Sequence, residues 1–309
     1  MSLELLDQLS LPGDGAKPNE DAFAHLDHAA LVLDGATPLG PSLLPGPSDA
    51  AWIAQFGARR LAAHLRDGDA PQNALKHALA DAEKSFTGLT REPIREKWQT
   101  PCASMMMVAE LGHAPSPPRV QSTLAGEMPV AGSRASEGQR GAEIEFLWFG
   151  DCAAIVEQNG KIEIVGEALE KRQAEAARAR MVARAANMSA TAGINRPQIE
   201  PLLRAARNRI NSGRNWLFSP DTRAAGHVSR HVMTLSKDAR VLIASDGFLA
   251  LVSDYSAYGM EELMAAVSTK GLAVLGAQLR AIEDADPLGE KFPRFKKSDD
   301  ATAVLLRVV

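Results

Sequence analysis

The sequence predicts an α+β protein in which antiparallel sheets are covered by pairs of helices. Three observations carry this. Short strand-like runs alternate with amphipathic helical segments that come two at a time. One pair of runs is joined by Asn159-Gly160, the strongest short hairpin signal a sequence offers. Over 309 residues, a 45% hydrophobic content supplies a core large enough for such an architecture.

In chain order, Asp21 to Leu33 reads as two apolar runs broken by His25-Leu26-Asp27-His28, a hairpin that ends in the buried run Leu31-Val32-Leu33 and is stopped by Asp34-Gly35. A loop rich in Pro, Gly and Ser follows from Leu39 to Pro47. Ser48 or Asp49 caps a helix with Trp52, Ile53, Phe56, Leu61 and Leu65 on one face. Pro71 suits the first turn of a second helix, whose Leu75, Leu79, Ala82 and Phe86 recur at helical steps. Ser104 to Leu111 reads as a strand, and its Met105-Met106-Met107 as core filling. A loop insertion is expected over 113–141. Strands follow at Ile144 to Phe149, Ala153 to Val156 and Lys161 to Val165. Glu167 to Asn187 reads as an alanine-rich basic helix, and the arginine-rich, proline-interrupted stretch 189–230 as a flap-like segment outside the core. The strand Val241 to Ala244 runs into Ser245-Asp246-Gly247, two helices carry Leu263, Met264, Val267 and Leu272, Leu275, Leu279, Ile282, and Thr302 to Val309 closes the chain as a strand.

Composition excludes several classes. With 34 basic and 38 acidic residues, net charge −4, the chain is no electrostatic nucleic-acid binder. Its two cysteines, Cys102 and Cys152, make neither a disulfide framework nor a cysteine-built zinc site, and fit a reducing compartment. No run approaches the ~18 apolar residues of a membrane span. The opening Met-Ser-Leu-Glu-Leu-Leu-Asp lacks a basic leader, so a cytoplasmic location without membrane attachment is the expectation.

The chemistry lies in where the carboxylates fall. Asp34, Asp151 and Asp246 each stand just past the end of an apolar strand, and Asp299-Asp300 just before one. With Glu20-Asp21, six or more acids are expected to meet along one sheet edge. Uncompensated, they would repel and raise one another's pKa. A divalent cation relieves this, and oxygen-only donors select a hard ion, Mg²⁺ or Mn²⁺. Two such ions can acidify a water and clamp a phosphoryl group. A single Asp-Gly after a strand is usually only a turn, so the constellation carries the reading. Other signals are weaker. His25 and His28 flank a turn without a third ligand, and Gly35 to Gly40 has P-loop glycine spacing without the Lys-Ser/Thr that must follow.

These residues resemble a known family, the type 2C metal-dependent protein serine/threonine phosphatases (PPM), in their bacterial form. Asn19-Glu20-Asp21 and Leu31-Val32-Leu33-Asp34-Gly35 look like its first two motifs. Phe149-Gly150-Asp151-Cys152 is similar to its Gly-Asp-Ser motif, Ala244-Ser245-Asp246-Gly247-Phe248 to Ser-Asp-Gly, and Asp299-Asp300-Ala301-Thr302 to the closing Asp-Asn-x-Thr. The order agrees from about Lys17 to the C-terminus. The resemblance implies one catalytic domain over 1–309, a four-layer αββα sandwich of two antiparallel sheets flanked by helix pairs. It implies two or more Mg²⁺ or Mn²⁺ ions, with Asp34 shared between two of them. The Gly35 carbonyl and, through water, Glu20 would complete one, and Asp246 and Asp299 the other. Asp21 and Asp151 would hold metal-bound waters or a looser ion. Turnover would rest on Asp34 and Asp246, by direct attack of a metal-bound hydroxide on a phosphorylated Ser/Thr protein, with Cys152 no nucleophile.

There are departures. Where the family often has a phosphate-binding arginine, four residues before the motif glutamate, this chain has Ala16, with Lys17 beside it. Ala36 replaces a histidine common in eukaryotic members, and Pro101-Cys102-Ala103-Ser104 keeps only the small residues of a Gly-Ser-Thr-like motif. Lys17 and Arg214 are the candidate substitutes for the arginine. Three readings stay open: an active phosphoprotein phosphatase, a phosphoprotein-binding module that has lost efficient catalysis, and a phosphatase of small phosphorylated metabolites. The sequence assigns no oligomeric state.

Overall fold

Ten strands pair into two five-stranded antiparallel sheets in the computed structural model, which describes residues 2–112, 141–167, 196–292, 294 and 296–309. The first sheet has the order β1 (Leu3–Leu11), β10 (Ala301–Val308), β9 (Arg240–Ala244), β6 (Ala153–Gln158), β7 (Lys161–Val165). The second runs β2 (Asp21–Leu26), β3 (Ala29–Gly35), β4 (Ala103–Glu110), β5 (Ala142–Phe149), β8 (Ser229–Leu235). Helices α1 (Asp49–Arg66) and α2 (Pro71–Leu89) cover the second sheet. Helices α4 (Asp246–Ser253), α5 (Met260–Lys270) and α6 (Leu272–Ala285) cover the first. A further helix, α3 (Arg196–Arg207), lies in the segment before β8. Among the described residues the predicted αββα sandwich is what the chain forms.

Strand periodicity builds the layers. Leu31, Leu33, Met105 and Met107 face α1 and α2, while their alternating neighbours Val32, Met106 and Val108 meet Val241, Ile243, Val304 and Leu306 of the opposite sheet. The helices follow their signals. Ser48 caps α1, its hydroxyl accepting from Ala51 N–H at 3.2 Å. Pro71 occupies the first turn of α2, and Leu75, Leu79, Ala82 and Phe86 are buried. At the β6–β7 turn Asn159 and Gly160 have φ of 51° and 71°, the left-handed pair that a tight hairpin needs.

Four expectations need correction. β1 was not anticipated, because a register shift between Leu5 and Asp7 breaks its two-residue period. Asp246-Gly247 opens the buried helix α4 rather than forming a plain turn, so three helices follow β9. The stretch 189–230 is not wholly external: Phe218 is fully buried, pairs with Ala103 and packs under α1, and the segment leads into β8. The acids do not share one sheet's edge. Asp21 and Asp34 belong to the second sheet, Asp246 and Asp299 flank strands of the first, and Asp151 lies in the β5–β6 crossing between them. The expected insertion and the Glu167–Asn187 helix fall outside the described residues, apart from their terminal positions. No described helix is long and apolar enough to cross a membrane.

Candidate metal centre

Register brings the carboxylates to one end of the sandwich. Asp21 pairs with Asp34 across β2 and β3, and Asp34 with Ser104 across β3 and β4. In the first sheet Ala244 pairs with both Ala303 and Ala153, which sets Ser245-Asp246, Thr302 and the Asp151-Cys152 turn side by side. Asp34, Asp151 and Asp246 each present an oxygen within 4.8 Å of the others.

Several of the acids are oriented by neighbours. Ser48 Oγ donates to Glu20 Oε1 at 2.6 Å and Thr37 Oγ1 to Glu20 Oε2 at 2.8 Å. Ser104 Oγ donates to Asp151 Oδ1 at 2.5 Å, so the weak third motif keeps one hydroxyl with a task. Ser245 Oγ donates to Asp21 Oδ2 at 2.8 Å and accepts from Thr302 N–H at 2.9 Å, which ties the two sheets together at the acids. Asp300 takes another part: its oxygens accept from Gly13 N–H at 2.6 Å and Glu20 N–H at 2.7 Å, fixing the entry to β2. Gly35 is required sterically, since a Cβ there would lie 2.5 Å from the Ala50 carbonyl and 2.6 Å from that of Glu20. Gly247 packs against the Asp300 carbonyl in the same way.

Ser245→Ala is therefore expected to remove one of Asp21's donors and to leave Thr302 N–H without its acceptor. Unpaired buried groups cost about 1–3 kcal/mol each. Denaturant unfolding of the variant should show a loss in that range.

The electrostatics are those of crowded like charges. Burial raises the Asp34 carboxyl well above the usual range, and Asp21, Asp246, Asp299 and Asp151 raise it further. Burial and the charges of Asp300 and Asp299 raise Asp21, against hydrogen bonds from Ser245 and Thr302. Asp21 Oδ1 is buried with no hydrogen-bond partner. An orphaned buried oxygen, a set of oxygen-only donors and mutually raised carboxyls together fit a hard divalent cation. The Cys152 thiol is fully buried, and that burial, with the charges of Asp34 and Asp151, pushes it well above its usual range, which disfavours a thiolate nucleophile.

The basic residues fall differently from one another. Lys17 Nζ lies 3.7 Å from Asp14, and Arg214 stands exposed at the tip of the turn closed by Ser212 and Asn215. Among the described residues Lys296 sets a cation beside these acids, a residue that sequence reasoning did not single out: its Nζ is 2.7 Å from Asp299 Oδ1. Partial burial opposes its charge, its side chain being 38% exposed, but Asp299, Asp34 and Asp246 outweigh that and push the ammonium's pKa up. Only its place three residues before Asp299 could have flagged it. On another side α3 lays Arg204 and Arg207 over the loop that follows Gly35. Arg204 donates to the Leu39 carbonyl at 2.8 Å and stacks on Trp98, and Arg207 approaches the Ala36 and Thr37 carbonyls. Beside that loop a cleft of about 360 Å³ is lined by residues that include Lys97, Cys102, Arg207, Asn211, Asp221 and Arg223.

No protein-family profile and no curated protein sequence matches the chain. Solved structures do. The catalytic domain of the serine/threonine protein phosphatase PstP in complex with two manganese ions is 14% identical, with 100% of this chain and 99% of that one covered, at a TM-score of 0.51. The Mycobacterium tuberculosis serine/threonine phosphatase PstP/Ppp is 13% identical, with the same coverage, at 0.53. The PPM Ser-Thr phosphatase MsPP from Mycobacterium smegmatis, in complex with cacodylate, is 16% identical, with 99% and 100% covered, at 0.51. Among the described residues the chain has the fold of these proteins.

Proposed function

We propose that this chain, which carries the PPM phosphatase fold, is a metal-dependent phosphatase of phosphoserine and phosphothreonine in proteins. The observation that carries the reading is the convergence of Asp21, Asp34, Asp151 and Asp246, drawn from both sheets, on an oxygen-only set that includes a partnerless buried oxygen. Asp34, Asp246 and Asp299, with the Gly35 carbonyl and, through water, Glu20, would hold two ions of Mg²⁺ or Mn²⁺. Asp21 and Asp151 would hold their waters or a further ion. When bound, such ions cancel the acids' repulsion, lower the pKa of water and polarise phosphoryl oxygens.

The chain's own groups do the positioning. Ser48 and Thr37 fix Glu20, Ser245 fixes Asp21, and Ser104 fixes Asp151, so the donor set is ordered before substrate arrives. Lys296 would receive a phosphate oxygen, in place of the arginine that Ala16 lacks. As a point charge it lacks arginine's bidentate fork. On this reading the cleft, lined by Lys97, Arg207 and Arg223 and also by Glu83 and Asp221, would take chain flanking the phosphorylated residue. With the Cys152 thiol buried and its pKa raised, a thiolate is disfavoured, and on this reading water would attack phosphorus directly, without a phosphoenzyme.

Phosphate release from a phosphothreonine peptide should require Mn²⁺ or Mg²⁺, cease in chelator, and exceed that from p-nitrophenyl phosphate in kcat/KM. Absence of turnover with either metal overturns the reading, and a clear preference for small esters moves it to a metabolite phosphatase. Lys296→Met is expected to lower kcat/KM on the order of 10-fold or more, mostly through KM, while Lys296→Arg retains a larger share. Steady-state kinetics on the peptide distinguish the two variants.

A further inference from the structure

A second group of ligating side chains lies at the other end of the sandwich. From Asp49, near the acids, α1 runs about 27 Å to its last turn. There the Leu65 carbonyl meets His28 at the β2–β3 turn, remote from Asp34 at the opposite end of β3. Here His64 of α1, Asp69 of the connecting loop and His77 of α2 each bring one ligating atom within 4.8 Å of the others. Their side chains are 18%, 30% and 51% exposed, open to an ion from solvent yet anchored on two packed helices.

The surrounding hydrogen bonds decide which atoms are offered. His64 Nε2 is 2.8 Å from Asp81 Oδ2, and Arg60 Nε donates to the same oxygen at 2.6 Å. Asp81 Oδ2 thus sits between two nitrogen atoms, and an ionised carboxylate oxygen only accepts. Asp81 therefore accepts, and His64 Nε2 carries the hydrogen; the Arg60 Nη2 atom 3.4 Å from Nε2 is then a mere neighbour, since both are donors. In the tautomer with its hydrogen on Nε2, the lone pair is on Nδ1, which lies 3.6 Å from Asp69 Oδ2. His77 Nδ1 is 2.7 Å from the same Asp69 oxygen. A carboxylate that accepts the far N–H of an imidazole, and is itself held in place, is the usual outer support of a metal-bound histidine.

We propose that the α1–α2 hairpin carries a surface site for one divalent cation of the Zn²⁺ class, bound by His64 Nδ1, Asp69 and His77 Nδ1. Two imidazoles and one carboxylate suit a borderline ion, whereas the oxygen-only centre at the other end suits a hard one. Water takes the remaining position. The donors close to bonding distance, about 2.0–2.2 Å, by rotation of the exposed His77 ring and a small shift of the Asp69 loop. The hydrogen between His77 Nδ1 and Asp69 Oδ2 passes, through water, to the solvent-facing Nε2 of the same ring, which frees Nδ1 for the ion. The bound ion joins the ends of both helices to the loop between them.

Equilibrium dialysis of the full chain against low Zn²⁺, with Mg²⁺ in large excess to occupy the acid centre, tests this. Wild type and Asp34→Asn should each retain one Zn²⁺ per chain. His64→Gln and His77→Gln should bind it roughly tenfold or more weakly. His77 is half exposed, so its variant keeps the fold, which circular dichroism verifies. Co²⁺ as a probe should give intense visible absorption in wild type that the His77 variant lacks. Failure of wild type to retain Zn²⁺, unchanged affinity in both histidine variants, or loss of Zn²⁺ with Asp34→Asn alone overturns the proposal.

Discussion

Asp34→Asn is expected to abolish metal-dependent phosphate release, by on the order of 10³-fold or more, and at the same time to raise the thermal midpoint of the metal-free protein. The two effects have one cause. Asp34 sits at the meeting point of the sheets, paired with Asp21 and Ser104, with Asp151 and Asp246 oxygens within 4.8 Å. Burial and those charges raise its pKa. The site is thus assembled against the stability of the empty protein, as functional sites commonly are. An amide keeps the shape and removes one charge, so repulsion falls and the ion loses the ligand expected to be shared. Each kcal/mol relieved should lift the midpoint by about 2–4 °C for a chain of this size class. Calorimetry in chelator and initial rates in Mn²⁺ check both directions on one protein. A purely structural Asp34, capping a turn, would instead show a lowered midpoint.

A second large effect is expected in the pH dependence of stability. Asp21 and Asp34 have carboxyls raised by the fold, so the stability linked to them is fully present below the ordinary carboxylate pKa, about 4, and is lost as pH rises through their raised values. In chelator the midpoint should fall with rising pH over that window. Asp81, Asp221, Asp284 and Asp286 are lowered by their partners and act in the opposite sense, losing stability as pH falls below the ordinary range. The two groups therefore occupy separate windows. Mn²⁺ should remove the upper slope, because it binds the ionised acids, and should add about 2.7 kcal/mol per site at a hundredfold excess over its Kd. Thermal scans from pH 4.5 to about 8, with and without Mn²⁺, read this directly. A flat profile in chelator would contradict the account of the buried acids.

Much of this was legible in the sequence because local patterns were strong. Apolar runs ending in aspartate became β3, β5 and β9, and the Ser48 cap, Pro71 and Asn159-Gly160 stand where their chemistry placed them. Which sheet each strand joins is not a local property. The acids were therefore expected on one edge, whereas the fold draws them from both sheets and clamps them through Ser245 and Thr302. Helix α4 was hidden because Gly247 reads as a turn residue, although the fold needs it for close approach to the Asp300 carbonyl. Helix α3 was hidden by Pro201 and by its polarity. That Lys296 stands beside Asp299 could not be read locally, because the way its loop returns to the acids is set by the fold. The His64, Asp69 and His77 group spans two helices and a loop, so only the packing of α1 on α2 brings it together.

The central claim is that carboxylates from both sheets act as one cation-binding unit. Manganese binding counted by electron paramagnetic resonance, on wild type and on Asp34→Asn under the same conditions, tests it most directly. The account predicts two or more Mn²⁺ per wild-type chain and the loss of at least one in the variant, with the fold intact. Equal occupancy in the two proteins, or no Mn²⁺ bound to wild type, would contradict it.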